Sequence, residues 1–130
     1  MVAKPSVLIV DDDLSCRVLA ALLLEVGGYR PLAVASVARA LEKLDAARFD
    51  VVLTDLHMPV RSGLDLLLEL RVRDHASPVV VMTGSADEQL LSRASDLGAV
   101  GLLRKPFAPD ELRAAVAAAL GSTDARPVAA

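Results

Sequence analysis

The chain has little with which to stack bases or cross a membrane. Its only aromatic residues are Tyr29, Phe49 and Phe107, with no Trp. That excludes the row of rings on which single-stranded nucleic acid stacks. Basic residues form no block, Arg71 and Arg73 being the densest pair, and the net charge is −3, so a nucleic-acid footprint is missing as well. The single Cys16 excludes an internal disulfide and a cysteine metal cluster. It falls in an apolar helical stretch, where a buried, inert thiol is expected. The longest apolar run, Val18 to Leu24, is seven residues, against the roughly 18 to 20 that a membrane span needs. The opening Met1-Val2-Ala3-Lys4-Pro5 leads into an apolar stretch too short for a signal-peptide core. A cytoplasmic location is therefore expected, with no membrane contact and no direct contact with nucleic acid.

What the chain has is apolar mass. It is 54% hydrophobic with a mean hydropathy of +0.47, and its 130 residues suffice for one domain with a proper core. Ser6 to Val10, Arg30 to Ala35, Val51 to Thr54, Val79 to Met82 and Val100 to Leu103 read as short buried strands. The second holds Pro31, which suits an edge or a strand start. Helices are predicted over Leu14 to Val26, Val37 to Ala47 with Ser36 as cap, and Leu64 to Arg73. A fourth runs from Ser85 or Asp87 to Leu97, and a fifth over Asp110 to Leu120. Strands alternating with helices through short loops imply a parallel sheet with helices on both faces. The domain is expected over 1–121, followed by a loose, flexible tail over 122–130.

Chemistry gathers at the carboxyl ends of these strands. The first delivers Asp11, Asp12 and Asp13, the third Asp55, the fourth Thr83 and the fifth Lys105. In a parallel sheet these ends share one edge, where open α/β sheets place their ligands. Three carboxylates held together repel one another unless neutralised, and a hard divalent cation such as Mg²⁺ relieves this. The charges of Asp11, Asp12 and Asp55 then balance against Mg²⁺ and Lys105, and the site can receive a phosphoryl group. Asp55 suits the nucleophile, and Lys105 and Thr83 suit the phosphoryl oxygens.

With these residues in place, the chain resembles the response-regulator receiver domains of bacterial two-component signalling. The likeness covers about residues 6 to 120. It rests on the acidic pair, the strand-three Asp followed by Met58-Pro59, the strand-four Thr, the triplet Lys105-Pro106-Phe107 and the β/α order. The resemblance implies a flavodoxin-like, doubly wound α/β fold, with five parallel strands in the order 2-1-3-4-5 and five helices. It implies that Asp55 accepts a phosphoryl group from the phosphohistidine of a histidine kinase or histidine phosphotransfer protein. Asp11, Asp12, Asp55 and the His57 backbone carbonyl would hold Mg²⁺. Thr83 would be the switch hydroxyl, Gly84 the small residue beside it, and Lys105 the phosphate-binding lysine before a cis Pro106. The charge would be read by a downstream output protein or domain, by a monomer or a weak homodimer through the fourth helix, fifth strand and fifth helix. Such a domain is a signalling phosphoacceptor rather than an enzyme, acting only on its own phosphoryl group. Asp13 has no part in this pattern and is expected to cap the first helix.

The chain departs from the family pattern at Leu102, where many members carry an aromatic residue that relays the switch. His57 reads equally as an exposed loop residue and as one whose imidazole faces the phosphoryl group and tunes its hydrolysis. In the first helix Cys16, Leu19, Ala20, Leu23 and Leu24 make the better core stripe. Leu14, Val18 and Leu22 are left on another face, either part of a wide buried surface or a docking surface for the phosphodonor. Two other readings stay open. A phosphohydrolase resembling the haloacid-dehalogenase family would use Asp11 as nucleophile and leave Asp55 unexplained. An interaction module on the same fold would never be phosphorylated.

Overall fold

Side-chain alternation along the central strands decides the architecture. The computed structural model describes residues 3–85 and 87–125. Its elements run β1 (Ser6–Val10), α1 (Leu14–Val26), β2 (Arg30–Val34), α2 (Val37–Ala46), β3 (Val51–Asp55), α3 (Gly63–Val72), β4 (Val79–Thr83), α4 (Glu88–Asp96), β5 (Gly101–Arg104) and α5 (Pro109–Ala125). All strand pairs are parallel and the order is β2-β1-β3-β4-β5. In β1, β3 and β4, successive side chains point to opposite faces, and both faces are covered. Leu8, Val10, Val52 and Val81 join Val37, Leu41, Leu66 and Leu70 in the core beneath α2 and α3. Val7, Ile9, Leu53, Val80 and Met82 join Ala20, Leu24, Leu112 and Val116 in the core beneath α1 and α5.

Local chemistry sets the ends of the helices. The Asp13 side chain accepts the Ser15 amide at the start of α1, as expected, and Ser36 accepts the Arg39 amide at the start of α2. Ser62 and Asp65 form a reciprocal capping box on α3. Of the two candidates for α4, Asp87 is the cap, accepting from Gln89 and Leu90. Pro31 lies on the edge strand β2, where a missing amide costs no ladder partner on the open side. α5 runs five residues past the expected Leu120, through Gly121 to Ala125. The rest of the expected loose tail, 126–130, lies outside the described residues.

The expected core stripe of α1 needs one correction. Leu19 is 47% exposed, and the stripe that enters the core is Ala20 and Leu24, flanked by half-buried Cys16 and Leu23. Leu14, Val18 and Leu22 are 64%, 58% and 57% exposed, so the wide buried face is not formed. α1 shares its side of the sheet with α5 alone, so only a narrow arc of it is covered. No described helix is long and apolar enough to cross a membrane.

Candidate functional site

Sheet register brings the acids together. Val10 pairs with Thr54, so the next residues, Asp11 and Asp55, stand side by side at the carboxyl edge. They also flank the point where the strand order reverses, β2 lying on one side of β1 and β3 on the other. Asp55 pairs with Met82 and Thr83 with Arg104, which carries Thr83 and then Lys105 to the same rim.

Asp11 is fully buried. Its Oδ1 accepts the Asp13 amide at 2.9 Å and its Oδ2 accepts Lys105 Nζ at 2.6 Å. Asp55 is buried too; its Oδ1 accepts the His57 amide at 2.9 Å and its Oδ2 accepts Lys105 Nζ at 2.9 Å. One ammonium therefore bridges two carboxylates. Burial pushes the Asp11 carboxyl up, but bonds from Cys16, Lys105 and the Asp13 amide, with the Lys105 charge, outweigh it and hold it below its ordinary value. Burial likewise opposes the Lys105 charge, yet its bonds to Asp11 and Asp55 raise it above the ordinary lysine value. Lys105 is aimed by its backbone: its amide donates to the Thr83 carbonyl at 2.8 Å, and the bond to Pro106 is cis, as expected.

Thr83 is buried and its Oγ1 accepts the Ser85 amide at 2.9 Å. At Gly84 no atom of the described residues, its two chain neighbours aside, lies within 4 Å of where a β-carbon would stand. His57 is exposed, and its one recorded bond to the acids is through its amide. Leu102 is 42% exposed on β5, at the rim of a cleft of about 260 Å³ with Leu91, Ala94 and Ala99. Leu14, Val18 and Leu22 stand on α1, away from the acids except at its first turn.

Asp11, Asp12 and Asp55 each offer a carboxylate oxygen, all within 4.8 Å of one another. Three oxygen donors with one neighbouring cation leave an excess of negative charge, which fits a hard divalent cation and not a soft one. A cleft of about 870 Å³ among Arg48, Asp50, Arg73 and His75 lies at the other edge of the sheet and holds none of these residues. The converging charges, rather than a cavity, mark the site.

Three contributors escape a reading by strand ends. Arg17 donates from Nη1 to the Asp11 carbonyl at 2.9 Å and clamps the acidic loop. Its signal was a basic residue one turn into α1. Cys16 is bonded to Asp11 rather than sunk in the core, and burial followed by that bond pushes its thiol up to about 12. Gly63 packs on the Asp55 carbonyl, where a β-carbon does not fit.

The model of the response regulator receiver domain matches residues 7–117. The chain belongs to that family. As a receiver domain it is 32% identical over 120 residues to the transcriptional regulatory protein FixJ of Bradyrhizobium diazoefficiens, covering 92% of this chain and 58% of that protein. It is 33% identical over 110 residues to sporulation initiation phosphotransferase F of Bacillus subtilis, covering 85% and 89%. Among solved structures it resembles the chemotaxis response regulator CheY4 of Vibrio cholerae, with a TM-score of 0.84 and 31% identity over 90% of this chain and 99% of that one. The receiver domain thus spans about the whole of some relatives and little more than half of others, and only 24% of the regulator DctD of Rhizobium meliloti. Receiver domains are signalling phosphoacceptors, and the acidic cluster here is one that could hold a metal.

Proposed function

We propose that this receiver domain takes a phosphoryl group from the phosphohistidine of a histidine kinase or histidine phosphotransfer protein onto Asp55. The observation that carries the reading is the buried Asp55 carboxylate, tied to Lys105 and within ligand reach of Asp11 and Asp12. An Asp55 oxygen attacks phosphorus, an O–P bond forms and the P–N bond breaks. The imidazole leaves with the electron pair and holds its proton from solvent. Lys105, now on Asp55, passes to a phosphoryl oxygen, and the Thr83 hydroxyl turns from the Ser85 amide to donate to another. Asp11, Asp12, Asp55 and the His57 carbonyl hold Mg²⁺, which when bound supplies charge neutralisation for the transferring group. Gly84 leaves room for the group to enter.

Asp11 is the less accessible of the two acids, wholly buried where Asp55 keeps 7% exposure, and its Oδ2 holds Lys105 at the shorter distance. That weighs against the phosphohydrolase reading, and the complete set of acids, Thr and Lys weighs against a module that is never phosphorylated. The phosphorylated domain changes its affinity for an output protein or domain, as monomer or weak dimer through α4, β5 and α5. Leu102 on that face takes part in the response without the aromatic swing. Self-hydrolysis ends the signal, and His57 tunes it. The setting is the cytoplasm.

Acetyl phosphate with Mg²⁺ is expected to label the chain, and borohydride reduction followed by peptide mass spectrometry to place the label on Asp55. Asp55→Asn abolishes it. A label on Asp11 overturns the reading in favour of the phosphohydrolase.

A further inference from the structure

Thr54 puts a hydroxyl where the core calls for a methyl. It is fully buried near the end of β3. Strand alternation sets it on the face of Val52 and Leu56, beneath α2 and α3. Its register partners are Val10 on β1 and Val81 on β4, both members of that apolar core. Valine has nearly the same shape and would fill the position with no polar atom to satisfy. A buried hydroxyl costs stability unless it is bonded. This one is bonded to its own neighbour: Thr54 Oγ1 donates to the Asp55 carbonyl at 3.1 Å.

The partner says what the bond does. The peptide joining Asp55 to Leu56 is planar, so its carbonyl and its amide turn together. The Thr54 hydroxyl holds the carbonyl, and the Leu56 amide donates to the Met82 carbonyl of β4 at 2.9 Å. Gly63 closes over the same carbonyl. The plane is therefore fixed at both ends where β3 finishes. One residue on, the His57 amide donates to Asp55 Oδ1 at 2.9 Å. That bond orients the carboxylate and leaves Oδ2 to meet Lys105. A rotated plane between residues 55 and 56 would carry the His57 amide off Oδ1. The carboxylate would then be free to turn, since its last torsion is intrinsically soft.

We propose that Thr54 is a positioning residue for phosphoryl transfer, its hydroxyl fixing the Asp55–Leu56 peptide and thereby aiming the Asp55 carboxylate through the His57 amide. The proposal rests on the phosphoacceptor reading of Asp55 and deepens it. Thr54 acts from inside the core, through the backbone alone. The same peptide plane leads to the His57 carbonyl, one of the proposed Mg²⁺ ligands, so nucleophile and metal are set together. A misplacement of about 1 Å between reacting groups can cost on the order of a hundredfold in rate. A single bond of ordinary strength is enough to matter here.

The test sets Thr54→Val against Thr54→Ser. Valine keeps the shape and loses the hydroxyl; serine keeps the hydroxyl and loses a buried methyl. Each variant is labelled with acetyl phosphate at saturating Mg²⁺, and its stability is read by urea unfolding. Thr54→Val is expected to label Asp55 about fivefold more slowly or worse, the worth of one hydrogen bond. Thr54→Ser is expected to unfold at lower urea, because of the cavity, yet to label at the wild-type rate. Rate and stability thus part company across the pair. Wild-type labelling by the valine variant overturns the proposal. So does labelling that follows the urea midpoint, with serine the slower, since the hydroxyl would then serve packing alone. A slow serine variant overturns it even where the valine variant fails to fold. If acetyl phosphate fails to label Asp55 in the wild-type chain, the phosphoacceptor reading falls and takes this proposal with it. That result is distinct, because it needs no variant.

Discussion

A β-carbon at Gly63 would overlap the carbonyl oxygen of Asp55 and stand 2.9 Å from the Leu56 Cα. The glycine lets the first turn of α3 press against the backbone of the nucleophile, with no side chain able to yield. Gly63→Ala is expected to destabilise the domain by about 1–3 kcal/mol, the usual scale of overpacking. Because the atoms that must move are those of Asp55 and Leu56, acetyl-phosphate labelling should fall as well. Urea unfolding and a labelling time course read the two effects. Wild-type values in both would mean that the loop relaxes freely.

Lys105 neutralises Asp11 and Asp55 together. In Lys105→Met the acids lose their shared cation and repel one another more strongly. Mg²⁺ is therefore expected to bind at least as tightly as in the wild type by isothermal titration. Labelling should nonetheless fall by about a hundredfold or more, as when a charge-stabilising donor is removed from a reacting oxygen. Weaker Mg²⁺ binding would show that Lys105 positions the acids rather than opposing their charge.

The face carrying Val18 and Leu22 can be changed without touching the core. Replacing exposed residues usually costs within about 0.5 kcal/mol. Val18→Asp with Leu22→Asp is expected to block transfer from a phosphohistidine protein and to spare acetyl-phosphate labelling. Equal loss of both would point to misfolding.

His57→Ala keeps the amide that holds Asp55 Oδ1 and removes only the imidazole. The lifetime of the phosphorylated state is expected to change by about threefold or more, a tuning effect smaller than the roughly hundredfold at which positioned proton-transfer groups begin. An unchanged autodephosphorylation rate would remove His57 from the site's chemistry.

Cys16 should be a poor nucleophile. Burial and the Asp11 carboxylate push its thiol from 9.0 up to about 12. The folded state thus holds the proton more tightly than the unfolded one. This contribution to stability is complete below pH 9 and is lost as pH rises from 9 towards 12. At pH 8.5 in EDTA, alkylation by iodoacetamide is expected to be about a hundredfold slower than in urea, because the thiolate is the reacting form. Comparable rates would mean that the thiol is not held by Asp11.

Much of the fold could be read from the chain. Runs such as Ser6 to Val10 and Val79 to Met82 are too short and too apolar for anything but buried strands, and glycine, proline and capping residues bound the helices between them. The strand-end residues Asp11, Asp55, Thr83 and Lys105 were legible for the same reason, since parallel topology alone sends them to one edge. Leu19 was misjudged because periodicity marks which residues share a helix face, not how much of that face a neighbour covers. α1 has one helical neighbour on its side of the sheet, and Leu19 falls beyond the sheltered arc.

Some relationships depend on distances between segments that no spacing encodes. Gly63 matters because α3 begins against Asp55. Cys16 matters because α1 starts close enough to Asp11 for its thiol to bond there. The amino-acid sequence by itself determined the α/β order and the acids, hydroxyl and lysine that converge, because hydrophobic period and strand polarity are local. Only the tertiary structure decided which carboxylate oxygen Lys105 meets and which apolar residues stay bare, because these depend on how closely the packed elements approach.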